Sequence, residues 1–134
     1  PRIFTDAWAG YPPARERLLG SLARHKTANP IVLTGDIHSF WVNEIANAAG
    51  RPFGVELVTS SIATSTSDKT QMLPLNPQVR FHEGIHNGYI RCELDRDKLR
   101  ADLVAIDDRL DPRSGRSVLA SFEVRAGDPR AHRV

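Results

Sequence analysis

Cysteine is almost missing from this chain, since Cys92 is the only one among 134 residues. A single cysteine excludes an internal disulfide framework and a zinc site built from cysteine thiolates. Its alternation with Arg91 and Glu93 predicts a buried, inert thiol in a strand. Any metal bound by the chain would therefore need ligands of other types.

The chain also lacks a strong charge of either sign and a long apolar run. Lys and Arg number 18 and Asp and Glu number 16, which leaves a formal net charge of +2, and the basic residues are scattered. Without a dense basic patch, no specific binding of nucleic acid is expected. No apolar run approaches the roughly 20 residues that a membrane-spanning helix needs, so we expect no membrane span.

The length is enough for one domain with a hydrophobic core. The chain starts at Pro1 without a methionine, which indicates a piece of a longer protein. No export signal is visible in it. We expect one unit over 1–134, ending in a mobile polar tail over 127–134.

Hydrophobic patterning predicts an α+β fold that begins with one helix. Pro12 and Pro13 mark a first helical turn. Leu18 and Leu22 belong to an apolar stripe that would pack on a core over roughly three to four turns. The apolar run 31–34 predicts a short buried strand, and a helix that leads into such a strand indicates an α/β layer.

Mainly antiparallel strands are expected in the rest of the chain. Two strands precede a hydroxyl-rich, irregular region, and three alternating strands follow it as a meander with one face in solvent. The predicted strands cover 40–47, 55–58, 89–94, 99–106 and 118–124.

The main chemical signal is the motif Gly-Asp-Ile-His-Ser at 35–39, directly after the strand 31–34. In extended backbone, Asp36 and His38 would point to the same side, roughly 7 Å apart. Carboxylate and imidazole together suit Fe, Mn, Zn or a mixed pair with Ca. The alternative is an Asx turn with a hydrogen-bonded histidine. Two ligands alone do not complete a catalytic metal site, which takes at least three.

Two further features allow either a functional or a structural interpretation. The hydroxyl-rich loop 59–68 could present hydroxyls and N–H groups to a phosphate, but it has no glycine-rich phosphate-binding pattern, and a solvated loop is the alternative. His82 and His86 are four residues apart, as in a helical metal pair. Nearby glycines oppose a helix there, so they are predicted to be loop or strand histidines without a metal.

Blocks along nearly the whole chain match one family's motifs in the same order. They lie at 6–12, 14–19, 32–41, 59–62, 76–81, 88–92, 119–124 and 126–127. Through these blocks the chain resembles the PhoD-like alkaline phosphatases of the calcineurin-like metallophosphoesterase superfamily. Two positions depart from the pattern, because Ala9 stands where many members carry Asp and Gln78 replaces a frequent His.

The resemblance implies the C-terminal half of an αββα sandwich and hydrolysis of phosphate mono- and diesters at a dinuclear metal centre. Fe³⁺ and Ca²⁺ are the implied metals, with Zn or Mn as alternatives. Asp36 and His38 are the implied metal ligands, and His38 is also expected to be catalytic. Ser39, Ser60 and Ser61 are expected to bind the substrate. Export to the bacterial periplasm or secretion, typically by the twin-arginine route, is implied as well.

The superfamily's other metal-binding motifs do not occur in these 134 residues. We therefore expect a C-terminal fragment of a PhoD-like phosphatase, inactive by itself, whose parent acts on a phosphate ester. One alternative is a non-catalytic β-rich binding or scaffold domain in which Asp36 and His38 are structural. Another expectation is self-association through apolar sheet surface uncovered by the truncation.

Overall fold

The computed structural model describes residues 8–47 and 49–134, which form two four-stranded sheets. Helix α1 is Pro12–Arg24, and the strands are β1 Ile31–Thr34, β2 Phe40–Ala46, β3 Pro52–Val58, β4 Val79–Glu83, β5 Gly88–Leu94, β6 Lys98–Ile106, β7 Arg116–Arg125 and β8 Asp128–Arg133. Short 3₁₀ helices lie at Trp8–Gly10 and Thr70–Leu75. The α+β class with one helix ahead of mainly antiparallel strands is confirmed.

The first sheet brings several strand ends to one edge. Its order is β1-β3-β2-β4, with β1 parallel to β3 and β2 antiparallel to both β3 and β4. The last residues of β1 and β3, Thr34 and Val58, are register partners. Phe40 at the start of β2 pairs with Glu83 at the end of β4. The loops that leave β1, β3 and β4 therefore meet where β2 begins.

The second sheet is an antiparallel meander of β5, β6, β7 and β8. Its inner face packs on the first sheet, and alternate residues of both sheets form one core. The core consists of Phe40, Val42, Val55, Leu57, Leu99, Ala101, Leu103, Ala120, Phe122 and Val124. Since Phe40 is 0% exposed and follows the 35–39 motif directly, the core anchors the motif at its C-terminal side.

The C-terminal end of the chain differs from the expected mobile polar tail. Residues 128–133 form β8, which pairs with β7 after a turn at Ala126 and Gly127. Gly127 has a φ of 80°, which suits a tight hairpin turn. Ala131 of β8 packs against the core. One small apolar residue among charged ones is too weak a pattern to predict such a strand.

Helix α1 forms where the sequence predicts it, but the expected burial of its apolar stripe is wrong. None of its 13 residues is buried, and Leu18 is 42% exposed. Among the described elements, α1 packs mainly on the turn Trp8–Gly10. Periodicity defines the apolar face of a helix but not the element that covers it. No helix in the described ranges is both long and apolar enough to cross a membrane.

Two expectations about burial are wrong at sheet edges. β1 pairs only with β3 in the described sheet, and Leu33 is 63% exposed. Cys92 lies in β5, at an edge of the second sheet, and is also exposed. Partial desolvation of the sulfur by neighbouring atoms, and then the negative charge of Asp102, raise the pKa of the Cys92 thiol. Alternation along a strand predicts its two faces but does not tell an edge strand from a central one.

Buried carboxylates make the second sheet sensitive to acid. Asp102 accepts hydrogen bonds from Ser121 and Arg91, which hold its pKa below the ordinary value. A hydrogen bond from Lys98 lowers the pKa of Glu123 in the same way. A carboxylate with a lowered folded-state pKa stabilises the fold above its unfolded pKa of about 4. That contribution is lost as the pH falls through the lower folded-state pKa.

We therefore expect the free energy of unfolding to drop as the pH falls below about 4. Urea denaturation at pH 7 and pH 3 would measure the drop. Asp102→Asn should start less stable and lose less between the two pH values than the wild type. Asp97→Asn, at an exposed turn, is the matched control and should lose as much as the wild type. Equal losses in all three proteins would contradict the role given to Asp102.

Candidate metal and phosphate site

Asp36 and His38 lie in the turn between β1 and β2, at the edge where β1 and β3 end. Their backbones are left-handed, with φ of 71° and 60°. The extended geometry expected from sequence is therefore wrong, because β1 ends at Thr34. Left-handed backbone is uncommon outside glycine, although Asp and His adopt it more often than most residues. Such conformations cluster at functional sites.

The carboxylate of Asp36 is exposed. Within residues 8–47 and 49–134 it accepts no hydrogen bond and forms no ion pair. The Asx turn that sequence allowed as an alternative is therefore not formed by the described residues. A solvent-facing carboxylate in left-handed backbone is open to a cation or to a group from another segment.

The imidazole of His38 is partly buried and contacts the hydroxyl of Thr64. The Thr64 Oγ1 lies 3.4 Å from both His38 Nδ1 and His38 Nε2. The two nitrogens flank a single ring carbon, so a hydroxyl in the ring plane at these distances would overlap that carbon. The hydroxyl therefore lies over the ring face, and the in-plane lone pair has no partner among the described residues. The backbone N–H of Ser67 donates to the His38 carbonyl at 2.9 Å.

The hydroxyl-rich loop 59–68 is also held by hydrogen bonds to the segment after β4. The Ser60 hydroxyl donates to the His86 carbonyl at 2.9 Å, and the Thr66 hydroxyl donates to the Ile85 carbonyl at 3.0 Å. These bonds join the loop to the segment after β4. The loop is thus tied down at Ser60 and Thr66, while residues 62–65 are exposed as expected for a solvated loop.

A sequence model of the family "PhoD-like phosphatase" matches residues 1–103. The chain belongs to the PhoD-like phosphatase family. It is similar to alkaline phosphatase D of Bacillus subtilis (strain 168), with 32% identity and a match that covers 91% of this chain and 22% of the relative. It also resembles the solved structure of PhoD, with a TM-score of 0.83 and 29% identity over 96% of this chain and 26% of that one. The chain thus spans only about a quarter of the length of these relatives.

Two of the three serines expected at the substrate are buried in this PhoD-like chain. Ser39 is fully buried, and its hydroxyl accepts a hydrogen bond from Trp41 Nε1 at 2.8 Å. Ser60 is buried and paired as described above. Ser61 is half-buried, and its Oγ lies 2.7 Å from the Thr64 Oγ1. Contact with a substrate stays a prediction for all three, and Ser61 is the most accessible of them.

His82 packs against the start of β2 in this PhoD-like chain. It lies in β4, with its ring stacked on Trp41 at 3.9 Å and its side chain 2% exposed. Its Nδ1 lies 3.2 Å from the Phe40 carbonyl and its Nε2 3.2 Å from the Asp68 carboxylate. Hydrogen bonds from Thr70, and then from His82, lower the pKa of Asp68. Sequence reasoning missed this role because β4 was not predicted and the pairing of Trp41 with His82 depends on it.

The described residues of the PhoD-like chain form no complete metal site. No three His, Cys, Asp or Glu side chains within 8–47 and 49–134 lie close enough together to hold an ion. Asp36 and His38 provide donor types that Fe, Mn, Zn and Ca accept. His86 lies in the loop after β4, where its Nδ1 is 3.0 Å from Glu83 Oε1. That contact is local to the turn, so Asp36 and His38 remain the candidate ligands predicted from the sequence.

Proposed function

We propose that this chain carries the last metal-binding motif of a metal-dependent phosphoester hydrolase, as the C-terminal part of a longer PhoD-like protein. One observation carries the proposal: Asp36 and His38 have left-handed backbone at the edge where β1 and β3 end, and no described residue bonds the Asp36 carboxylate or the in-plane lone pair of the His38 ring. Ligands of open α/β sheets collect at this edge. Membership of the PhoD-like family supports the reaction class.

In the proposed enzyme, Asp36 offers a carboxylate oxygen to the ions and His38 offers a neutral ring nitrogen. When bound, a metal pair supplies an activated water and stabilises charge on the transferring phosphoryl group. By resemblance the pair is Fe³⁺ with Ca²⁺, with Zn or Mn as alternatives. Ser61 can donate its hydroxyl to a phosphate oxygen, while Ser39 and Ser60 hold the loops that shape the site. The substrate is a phosphate mono- or diester.

Two properties complete the proposal. Export to the bacterial periplasm or secretion follows from the resemblance. Self-association of the chain alone is favoured by the exposed apolar side chains of Leu18 and Leu33.

We expect the 134-residue chain to have no phosphatase activity of its own, because two ligands do not hold a catalytic ion. The purified chain would be loaded in turn with Fe³⁺, Ca²⁺, Mn²⁺ and Zn²⁺ and assayed with nitrophenyl phosphate and bis(nitrophenyl) phosphate. Turnover should equal that of the metal ions alone. Turnover above this blank that His38→Ala removes would overturn the expected inactivity.

A further inference from the structure

Asn87 connects the hydroxyl-rich loop to the second sheet beside His38. Its side-chain Nδ2 donates to the Ser61 carbonyl at 2.9 Å and to the Thr64 carbonyl at 2.6 Å. Its own carbonyl accepts a hydrogen bond from the N–H of Ile106, the last residue of β6, at 2.9 Å. Asn87 therefore links two carbonyls of the loop to β6, a strand whose residues 101–105 are buried.

Thr64 connects the Asn87 hydrogen bonds to the ring of His38, because it bonds Asn87 through its carbonyl and contacts the ring through its hydroxyl. The Asn87 bond fixes the Thr64 carbonyl, and the N–H of Thr64 donates to Ser61 Oγ at 2.9 Å. With both backbone groups held and the Thr64 Oγ1 also 2.7 Å from Ser61 Oγ, the hydroxyl is kept over the face of the imidazole, 3.4 Å from each nitrogen. Thr64 itself is exposed, so its position depends on these bonds rather than on packing.

We propose that Asn87 is a positioning residue for His38 and acts through Thr64. Groups that orient a metal-binding histidine usually bond one of its nitrogens. Here the Thr64 hydroxyl contacts the face of the ring instead, so it does not occupy the in-plane lone pair of either nitrogen. Losing both Asn87 donors would leave the Thr64 carbonyl without a partner among the described residues, while the Ser61 carbonyl would keep the Gly88 N–H at 3.0 Å. The end of the loop that carries Thr64 would then be free to shift. The consequence for catalysis rests on the proposed function, but the positioning of the ring concerns the protein alone.

The test compares Asn87→Asp with Asn29→Asp in the 134-residue chain. Each substitution keeps the side-chain shape and removes an amide donor that holds two carbonyls, since Asn29 bonds those of Arg125 and Asp128. Ring ¹⁵N spectra would report on His38, and hydrogen exchange would report on the Ser67 N–H that donates to its carbonyl. In Asn87→Asp, we expect shifted or broadened His38 ring signals and about tenfold faster Ser67 exchange. Asn29→Asp should change neither.

A second pair of variants covers the outcome in which Asn87→Asp fails to fold. Thr64→Val removes the hydroxyl over the ring, and Thr66→Val removes a hydroxyl of the same loop that bonds Ile85 instead. The His38 ring signals should change in Thr64→Val, stay as in wild type in Thr66→Val and be restored by Thr64→Ser.

Unchanged His38 signals in both Asn87→Asp and Thr64→Val would overturn the proposal. The same holds if Asn29→Asp disturbs the ring as much as Asn87→Asp does. These spectra need no metal and no turnover. If the His38 ring signals respond as expected but the activity of the complete enzyme does not depend on His38, the proposed function is refuted. The positioning of the ring by Asn87 would still hold.

Discussion

Replacing His38 with alanine in a complete enzyme that contains this chain is expected to lower kcat/KM for a nitrophenyl phosphate ester by about a hundredfold or more. The expectation follows from its proposed place as a metal ligand, since losing even an outer partner of such a ligand costs about 10- to 100-fold in metal affinity or activity. Bound metal, measured by elemental analysis of the purified protein, should fall together with the rate.

Companion variants separate the loss of a ligand from damage to the turn. His38→Asn removes the imidazole but keeps a residue that tolerates left-handed backbone, so it should fold like wild type and still lose activity. Asp36→Asn should weaken metal binding in the same way. His25→Ala changes an exposed histidine at the end of α1 and should leave rate and metal content unchanged. Full activity and metal content in both Asp36→Asn and His38→Ala would instead favour a non-catalytic β-rich domain.

Phe40→Ala is expected to lower the free energy of unfolding by about 3–5 kcal/mol, as for other buried phenylalanines. The Phe40 ring is 0% exposed and belongs to the core between the two sheets. It also packs so closely on Gly88 that a Cβ there would lie 2.9 Å from its Cζ. The loss is a large share of the roughly 5–15 kcal/mol that stabilises a typical domain.

Urea denaturation followed by tryptophan fluorescence would measure the loss, because Trp41 is the next residue and is buried. Phe53→Ala, at a partly buried position in β3, is the matched control and should cost clearly less. Losses of the same size in the two variants would show that Phe40 does not anchor the core. Since β2 begins at Phe40, the variant should also loosen the 35–39 motif.

The family and the strand that precedes the 35–39 motif could be predicted from sequence, but the backbone geometry of the motif could not. Motif blocks in order along the chain led to the PhoD-like family, and an apolar run ending at Thr34 placed the motif at a strand end. Strand β4 was missed because it follows Pro77 in a stretch that looks irregular. Strand β8 was missed because it contains Pro129, and proline argues against a strand.

A residue pattern does not specify left-handed backbone conformations or long-range contacts. The period of two in a strand predicts that Asp36 and His38 point the same way. This period does not predict the left-handed backbone that both residues adopt. The contact of Thr64 with His38 joins residues 26 apart. The contact depends on the path of the loop 59–68, which is fixed by the hydrogen bonds of Asn87. The composition of the loop does not predict that path.

The hydroxyl over the His38 ring has a further chemical consequence. Because Thr64 Oγ1 is equally far from Nδ1 and Nε2, this contact favours neither tautomer of the neutral imidazole. In most metal sites, the partner of the second nitrogen decides which nitrogen carries the proton. Since no described residue bonds either nitrogen in the plane of the ring, the group that approaches in that plane would decide which nitrogen carries the proton.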